Sequence, residues 1–374
     1  DCLLSRGLGD VYKRQFLYFS IYANQMEGDY MSKFLKLIVS AFIILGMISF
    51  ALNSQIDARE KKKEIVLAHN QPTEHPVHKS LEIFKKELEK KSHGQIKVKI
   101  YPNGQLGSER EAIEMTQTNA IQMTKVSAGA LESFSPSYSL FNAPYLFNSQ
   151  DNYRHLMKDK KVQNEFFHST LDNGFLGITY YDAGARNIYT KNKAIKNSKD
   201  LKGVKTRVQP SKTSVKLIKS LGGTPTPMDF GEVYTAMQSG VIDAAENNET
   251  ALTTNNHGEI AKNYSYTEHA YVPDILIMNK DTYNDLTKQQ QKWLAEAAAD
   301  STKKHEVLWD KEVKHAKKVA KKDMGVKFYK VDKSSFKKAS KPLRKEFATD
   351  PKTKKYYDLI QREEKKYEES KTKH

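Results

Sequence analysis

The 374-residue chain contains a single cysteine, Cys2. One cysteine cannot supply a disulfide framework or a thiolate metal site, and it leaves no cysteine nucleophile to consider in the rest of the chain. No cysteine follows the apolar segment at residues 37–51, which excludes a lipidated cysteine at that point. The chemistry of this chain must come from other residue types.

Sequence motifs typical of catalysis are also missing. The chain has no phosphate-binding Gly-x-x-x-x-Gly-Lys-Ser/Thr, no Gly-x-Ser-x-Gly, no His-Glu-x-x-His and no dinucleotide glycine fingerprint. His69, His75 and His78 are close in sequence, but no carboxylates or further histidines stand nearby at metal-ligand spacing. We therefore expect a protein that is not an enzyme and that holds no cofactor and no metal.

Acidic residues are too few to balance the basic ones, and the formal net charge is +16. The excess lysines are spread over predicted helix faces and concentrate toward the C-terminus. No aromatic-studded basic strand or recognition helix accompanies them, so we expect a solvated basic surface and no nucleic-acid partner.

The N-terminal region predicts export. Residues 31–36 (MSKFLK) form a short basic start, and the next fifteen residues, 37–51, are almost entirely apolar. That length suits a signal-peptide core better than a membrane span of about 20 residues, although an uncleaved anchor is the alternative. Cleavage after Ala51 or after Ala58 would release the mature protein into the periplasm. Residues 1–30 make no sense upstream of a signal peptide, and we interpret them as a non-native or untranslated leader.

Strands and helices alternate along the mature chain. Residues 64–69 predict a buried strand, and a helix that starts near Pro76 is expected to end at Gly94. A half-buried strand follows at 96–100, and Ser108 with Glu111 three residues later has capping-box spacing. This order predicts a largely parallel sheet with helices on both faces.

A second unit with the same logic begins near residue 181, with a strand at 204–208 and helices at 213–220 and 231–239. The apolar strand 274–279 is expected to return to the first sheet. A long helical stretch then runs from Thr287 to about residue 322, with six large apolar residues proposed for its buried side: Trp293, Leu294, Val307, Leu308, Val313 and Val319. We expect the last fifteen or so charged residues to be frayed.

Two arginines stand out in this second unit. Arg207 lies in an apolar alternation at residues 204–208, so it either faces water or is buried against an anion. A guanidinium offers a rigid fork that matches a carboxylate bidentately, which makes the second alternative worth pursuing.

Several motifs in fixed order resemble one known family, the extracytoplasmic solute-binding proteins of tripartite ATP-independent periplasmic (TRAP) transporters. The similarity covers residues 64–345, nearly the whole mature chain. Each motif is weak alone, and together they are specific: YPNGQLG at 101–107, ER at 109–110, APYLF at 143–147, DLKG at 200–203 leading to RV at 207–208, PTPM at 225–228 leading to EVY at 232–234, and Asp243 with EN at 246–247.

The resemblance implies an α/β fold of the periplasmic-binding-protein type (type II-like), with two lobes and a long helix that spans both. On this basis residues 59–184 and 273–312 are assigned to lobe I and residues 185–272 and 313–366 to lobe II. Residues 31–58 are the signal peptide, and 367–374 are a charged tail.

The resemblance also implies the ligand-binding residues. Arg207 is expected to form a salt bridge with a ligand carboxylate, and Arg186 to bond its other oxygen or a neighbouring hydroxyl. Asn247 belongs to a segment that commonly reads Glu-Asn-Pro in the family, whereas this chain has Asn248 in place of the proline.

Five further residues are predicted to contact the ligand. Asn70 and Ser127 end first-lobe strands and can bond hydroxyls, although a turn-capping role is an open alternative. Glu109 or Arg110 is expected to reach the distal end of the ligand. Phe230 is expected to pack on its carbon skeleton or to belong to the core.

The function implied is capture of a small organic acid, a C4-dicarboxylate, uronate or other sugar acid, and its delivery by a monomeric receptor to TRAP membrane permease subunits. An exported sugar-acid-modifying enzyme such as a lyase, or the ligand-binding subunit of a sensor, are the alternatives.

Overall fold

The computed structural model describes residues 62–372, together with residues 38, 40 and 42, which are helical. The chain divides into two units, Asp1–Lys62 and Lys63–His374. The predicted leader and signal peptide lie outside the described residues, apart from those three positions. The second unit contains two mixed sheets.

The first sheet has five strands in the order β2-β1-β3-β10-β4 and the second has six in the order β11-β9-β5-β8-β6-β7. The strands are β1 Lys63–His69, β2 Ile96–Tyr101, β3 Met123–Ser127, β4 Phe175–Tyr181, β5 Ala185–Thr190, β6 Lys205–Val208, β7 Thr224–Pro227, β8 Ala244–Asn247, β9 Asn263–Tyr271, β10 Asp274–Asn279 and β11 Lys327–Lys330. We call the half of the unit around the first sheet lobe I and the half around the second sheet lobe II.

Twelve α-helices lie within residues 62–372. They are α1 Pro76–Lys91, α2 Glu109–Gln117, α3 Ala128–Leu131, α4 Gln150–Lys158, α5 Lys160–Phe167, α6 Lys212–Ser220, α7 Val233–Gln238, α8 Thr250–Thr253, α9 Lys280–Asn284, α10 Lys288–Lys322, α11 Lys333–Thr349 and α12 Lys354–Lys371. Short 3-10 helices cover Pro136–Asn142, Leu171–Asn173, Ser198–Leu201, Phe230–Glu232 and His257–Glu259.

The prediction of largely parallel sheets holds only in part, because both sheets are mixed; in the second sheet β11 is parallel to β9, and β6 is parallel to β7 and β8. In the first sheet β1 pairs in parallel with β2 and β3, but β10 is antiparallel to both β3 and β4. In the second sheet β5 is antiparallel to β8 and β9. The returning strand β10 lies in the first sheet as expected. It inserts between β3 and β4, and because it enters from the second lobe it runs against them.

Local signals set the helix boundaries well. Ser108 caps α2, with its hydroxyl accepting from the Glu111 amide at 3.3 Å and the Glu111 carboxylate accepting from the Ser108 amide at 2.7 Å. Thr287 caps α10 through the same reciprocal arrangement. These bonds satisfy amides that have no partner inside the helix, so each helix begins where its capping residue stands.

The long helix α10 contacts both lobes. Its first half packs along α1 and β4, with Leu294 and Ala298 in the lobe I core. Its last turns reach the lobe II core, where Ala320 is buried with Tyr264 and Val326. A single rigid helix thus connects the two halves.

The buried face of α10 differs from the expectation. Leu294 is buried, but Val307 is 71% exposed, and the other large residues proposed are only half-buried. The positions that are buried include Ala297, Ser301 and His305. The buried face combines small side chains with His305 and with Trp309, which is fully buried and was absent from the proposed set.

The C-terminal residues are helical as far as Lys371, and the expectation that they would fray is wrong. Within α12, Leu359 and Ile360 are buried in the main core, and the carboxylate of Glu364 accepts from the Asn152 side chain at 3.0 Å. Tyr367 stacks on His155 with ring centroids 3.7 Å apart. Apolar packing and these polar contacts hold a segment whose composition alone suggests a solvated tail.

Candidate functional site

A cavity that is partly open to solvent lies between the two sheets. Its walls come from the carboxyl ends of β1 and β3 in lobe I and of β6 and β8 in lobe II. Seven of the eight predicted site residues line it: Asn70, Glu109, Ser127, Arg186, Arg207, Phe230 and Asn247. Strand ends of two sheets that face each other form the kind of cleft in which α/β proteins bind small ligands.

Arg207 is the buried cation of this cavity that lacks a protein anion. It is 2% exposed, and both its Nε and Nη2 donate to the Met228 carbonyl oxygen, at 3.0 and 2.9 Å. No carboxylate of residues 62–372 lies within 4 Å of its guanidinium. Burial lowers the pKa of Arg207, the direction expected for a charge removed from water without full compensation. Nη1 is left to bond an anion in the cavity.

Arg186 is committed to an internal partner. It is buried on β5 beside the Glu246 carboxylate, to which its Nε and Nη2 both donate, the latter at 2.9 Å. Nη2 also donates to the Glu246 carbonyl at 2.7 Å, and Nη1 reaches the Asn247 side-chain oxygen at 3.3 Å. Glu246 lies opposite Ile188 in the neighbouring strand β8, on the same side of the sheet as the Arg186 side chain. Arg186 also lines the cavity, and its contact with a ligand carboxylate or hydroxyl stays a prediction.

Glu246 is correspondingly acidic. Burial raises the pKa of its carboxyl, but the Arg186 guanidinium and His269 together outweigh burial and hold the pKa at about 2, below its ordinary 4.5. The Arg186–Glu246 pair is thus ionised and close to neutral overall. It contributes little net charge to the cavity and leaves Arg207 as the source of positive potential.

Asn247 presents donors to the cavity. Its Oδ1 accepts from Arg186 and from the Asn248 amide at 2.9 Å, whereas its Nδ2 has no partner among residues 62–372. Asn248, which stands where proline is common in the family, is itself held in place because its Oδ1 accepts from the Thr250 amide and hydroxyl at 3.1 and 2.7 Å. The missing proline therefore does not leave this turn unrestrained.

Phe230 forms part of the wall beside Arg207. Its ring centroid lies 5.5 Å from the guanidinium carbon of Arg207 and 5.5 Å from the centroid of His257. The ring is half-buried and packs against the lobe II core while one side lines the cavity. The two readings of Phe230, as core residue and as cavity wall, both apply.

Two hydrogen bonds cross between the lobes at the cavity. Gln209, which follows β6, donates through Nε2 to the Ser127 hydroxyl at 2.8 Å. His75 contacts the Thr250 hydroxyl through Nε2 at 3.2 Å, while its Nδ1 accepts from the Val77 amide. Burial lowers the pKa of His75 well below its ordinary value, so the ring is neutral at pH 7 and carries its hydrogen on Nε2.

The lobe I side of the cavity is acidic. Glu109 and Asp274 both line it, above the buried ammonium of Lys125. The Lys125 Nζ lies 3.3 Å from Asp274, 3.9 Å from Glu109 and 3.0 Å from the Asn70 side-chain oxygen. Burial raises the pKa of Glu109, although Lys125 opposes the effect.

Arg110 is the predicted site residue that does not line the cavity. Its exposed guanidinium pairs with Glu114 at 2.9 Å, one helical turn further along α2. On a helix that starts at Glu109, adjacent residues point in directions about 100° apart, so only Glu109 turns inward.

Sequence reasoning missed several polar residues of the cavity. Gln71, Gln209, Asn255 and Asp274 line it without belonging to any motif that singled them out. The sequence correctly predicted Asp274 at the start of a returning strand. A carboxylate at a strand end beside the cleft could have indicated that it belongs to the site.

Within residues 62–372, no three His, Cys, Asp or Glu side chains form a group suited to a metal ion. The described helices also include none with the length and apolar character needed to cross a bilayer.

Comparison with known proteins identifies the family. Residues 67–350 match the model of bacterial extracellular solute-binding proteins, family 7 (DctP). The Salmonella typhimurium protein YiiZ is 42% identical over 286 residues, which cover 76% of this chain and 88% of YiiZ.

Solved structures agree with this assignment. A TRAP periplasmic solute-binding protein from Anaerococcus prevotii, with bound D-glucuronate, is 41% identical with a TM-score of 0.79, covering 82% of this chain and 99% of that one. A counterpart from a Bradyrhizobium species, in complex with D-galacturonate, is 36% identical with a TM-score of 0.77, covering 80% and 99%. These similarities confirm the two-lobed fold. The chain belongs to family 7 of the bacterial extracellular solute-binding proteins, the solute receptors of TRAP transporters.

Proposed function

We propose that this protein captures a sugar acid, of the hexuronate class, and delivers it to the membrane permease of a TRAP transporter. The observation that carries the proposal is Arg207, a buried guanidinium in the interlobe cavity with no carboxylate of residues 62–372 beside it. A ligand carboxylate would compensate this charge, and the low dielectric of the closed cleft strengthens that pairing.

The rest of the cavity suits a polyhydroxylated body. Carboxamides and a hydroxyl surround it, including Asn70, Ser127, Asn247 and Asn255, and such groups can donate to and accept from sugar hydroxyls. Phe230 offers an apolar face for the carbon skeleton. The bound D-glucuronate and D-galacturonate of the two similar structures are of the same class.

Binding without chemical change is part of the proposal. A lyase acting on a uronate needs a base beside the carbon next to the carboxylate. His75 lines the cavity, but both of its ring nitrogens are engaged, by the Val77 amide and the Thr250 hydroxyl. The carboxylates of Glu109 and Asp274 also line it, and they are held by the Ser127 amide and the Lys125 ammonium. Incubation with D-glucuronate followed by NMR should show unaltered sugar, and an unsaturated product would contradict the binding role.

A thermal-unfolding screen tests the ligand class. A ligand present at a hundredfold its dissociation constant stabilises the protein by about 2.7 kcal/mol. D-Glucuronate or D-galacturonate should raise the unfolding temperature, whereas D-glucose, which has the ring and no carboxylate, should not. No response to any uronate, or an equal response to D-glucose, would refute the proposal.

A further inference from the structure

The lobe I side of the cavity carries two carboxylates, Glu109 and Asp274, that are held in place by buried protein groups. Lys125 is 1% exposed and does not line the cavity, and its ammonium contacts Asp274 at 3.3 Å and the Asn70 oxygen at 3.0 Å. Glu109 is fixed by the Ser127 amide, which donates to its Oε1 at 2.8 Å. The Lys125 ammonium is therefore buried and paired with protein groups, whereas Glu109 and Asp274 line the cavity.

Each of these acids keeps one oxygen without a partner. Glu109 Oε2 and Asp274 Oδ1 accept no hydrogen bond from residues 62–372, and the two side chains remain 16% and 10% exposed. An ionised carboxylate can only accept hydrogen bonds. Two such oxygens facing the cavity would accept from ligand hydroxyls and repel a second ligand carboxylate.

We infer that Glu109 and Asp274, oriented by Lys125, make the site selective for acids with one carboxylate and several hydroxyls over acids with a carboxylate at each end. This inference rests on the proposed function and narrows its ligand class. The lobe II side of the cavity offers Arg207, which has no carboxylate partner among residues 62–372, and the lobe I side offers acceptors instead of a second free cation. C4-dicarboxylates and sugar diacids are thereby disfavoured.

The charged residues on the lobe II side do not provide a second cation for a diacid. The charge of Arg186 is already compensated by the Glu246 carboxylate, which accepts from its Nε and Nη2, and its Nη1 donates to Asn247 at 3.3 Å. A diacid would thus bring two negative charges into a cavity where one guanidinium is available and two carboxylates already stand.

The test compares D-glucuronate with D-glucarate, the open-chain diacid in which carbon 1 is also a carboxylate, and D-galacturonate with its diacid in the same way. The loss of the sugar ring is the same for every protein variant, so it cancels when the ratio of dissociation constants is compared between variants. Calorimetry on the wild type should give a dissociation constant for each diacid that is higher than for the uronate by on the order of tenfold or more, as expected for like charges at short range in a partly desolvated site. Glu109→Gln removes one negative charge and keeps an acceptor of the same size. It should reduce this ratio at least about threefold, mainly through tighter diacid binding.

Asp274→Asn is the second variant, with the same expected direction. Glu114→Gln is the matched control, because Glu114 lies on the same helix, is exposed and pairs only with Arg110. It should leave the ratio unchanged. If one acidic variant fails to fold, the wild-type ratio and the other variant still decide the question.

The outcomes separate the two proposals. A wild type that binds no uronate refutes the proposed function. A wild type that binds uronate and diacid equally well, or whose preference is the same in Glu109→Gln and Asp274→Asn, refutes the inference and leaves the proposed function standing.

Discussion

Replacing Arg207 with alanine should weaken ligand binding without unfolding the protein. The guanidinium is buried, and all of its hydrogen bonds to residues 62–372 go to the Met228 carbonyl oxygen. Because no carboxylate of residues 62–372 pairs with it, removing it strands no protein anion. A ligand carboxylate, in contrast, would lose its cation inside a closed cleft.

The magnitude follows from this asymmetry. Truncating one partner of a buried, hydrogen-bonded charge pair costs about 2–5 kcal/mol, which is roughly a 30- to 5000-fold rise in Kd. The unliganded Arg207→Ala variant should be within about 1 kcal/mol of the wild type in free energy of unfolding. The Met228 carbonyl loses donors, and the burial cost of the charge disappears at the same time. Calorimetric titration with D-glucuronate and chemical denaturation measure the two quantities.

Arg154 provides the matched control. It is also partly buried, but it pairs with two protein carboxylates, Asp182 at 2.6 Å and Asp310 at 2.5 Å, away from the cavity. Arg154→Ala leaves the buried Asp182 without its cation and should lower the free energy of unfolding by about 3 kcal/mol, with D-glucuronate affinity retained. The reasoning fails if Arg207→Ala binds D-glucuronate as the wild type does, or if it is the less stable of the two variants.

Three further outcomes are expected. Burial raises the pKa of Glu246, but Arg186 and His269 bring it down to about 2 from its ordinary 4.5. The ionised carboxylate therefore contributes about 3 kcal/mol to the free energy of unfolding above pH 4.5, and this contribution is lost as the pH falls toward 2. Denaturation at a series of pH values should show a smaller loss of stability in acid for Glu246→Gln, and an identical pH profile would contradict the assignment. Arg110→Ala should change D-glucuronate affinity by less than about 0.5 kcal/mol, since the side chain is an exposed ion-pair partner, and a larger loss by calorimetry would return it to the site. Thr287→Ala should cost about 1 kcal/mol of stability by removing the cap of α10, and equilibrium denaturation would show no change if the cap were unimportant.

Short-range signals made much of the fold predictable. Strand β1, helix α1 and strand β10 lie within one or a few residues of their predicted bounds. The capping residues Ser108 and Thr287 identify the starts of α2 and α10, because a side-chain oxygen there satisfies amides that the helix leaves free. Strand direction was not predictable in the same way, since it depends on which lobe the chain comes from.

The candidate site was predictable in its location and less so in its internal pairing. Two arginines near each other in sequence cannot be told apart by residue type, yet Arg186 forms a salt bridge with Glu246 of the paired strand β8, and Arg207 forms none with residues 62–372. The register of β5 against β8 decides this, and it is a long-range property. The same holds for Lys125 under Asp274, which come from strands about 150 residues apart in the chain.

The unpaired state of Arg207 also bears on how the cleft closes. A ligand can shift the balance between open and closed lobes only by binding the closed form more tightly. The interlobe contacts at the cavity, Gln209 to Ser127 and His75 to Thr250, are neutral hydrogen bonds, each with a net value of about 1 kcal/mol. Burial of the Arg207 charge opposes closure. A carboxylate on Arg207 removes that opposing cost where the lobes meet, so we expect binding and closure to be coupled through this one side chain. On the same reasoning, Arg207→Ala removes the cost of burying the charge, and closure of the variant no longer depends on an anion.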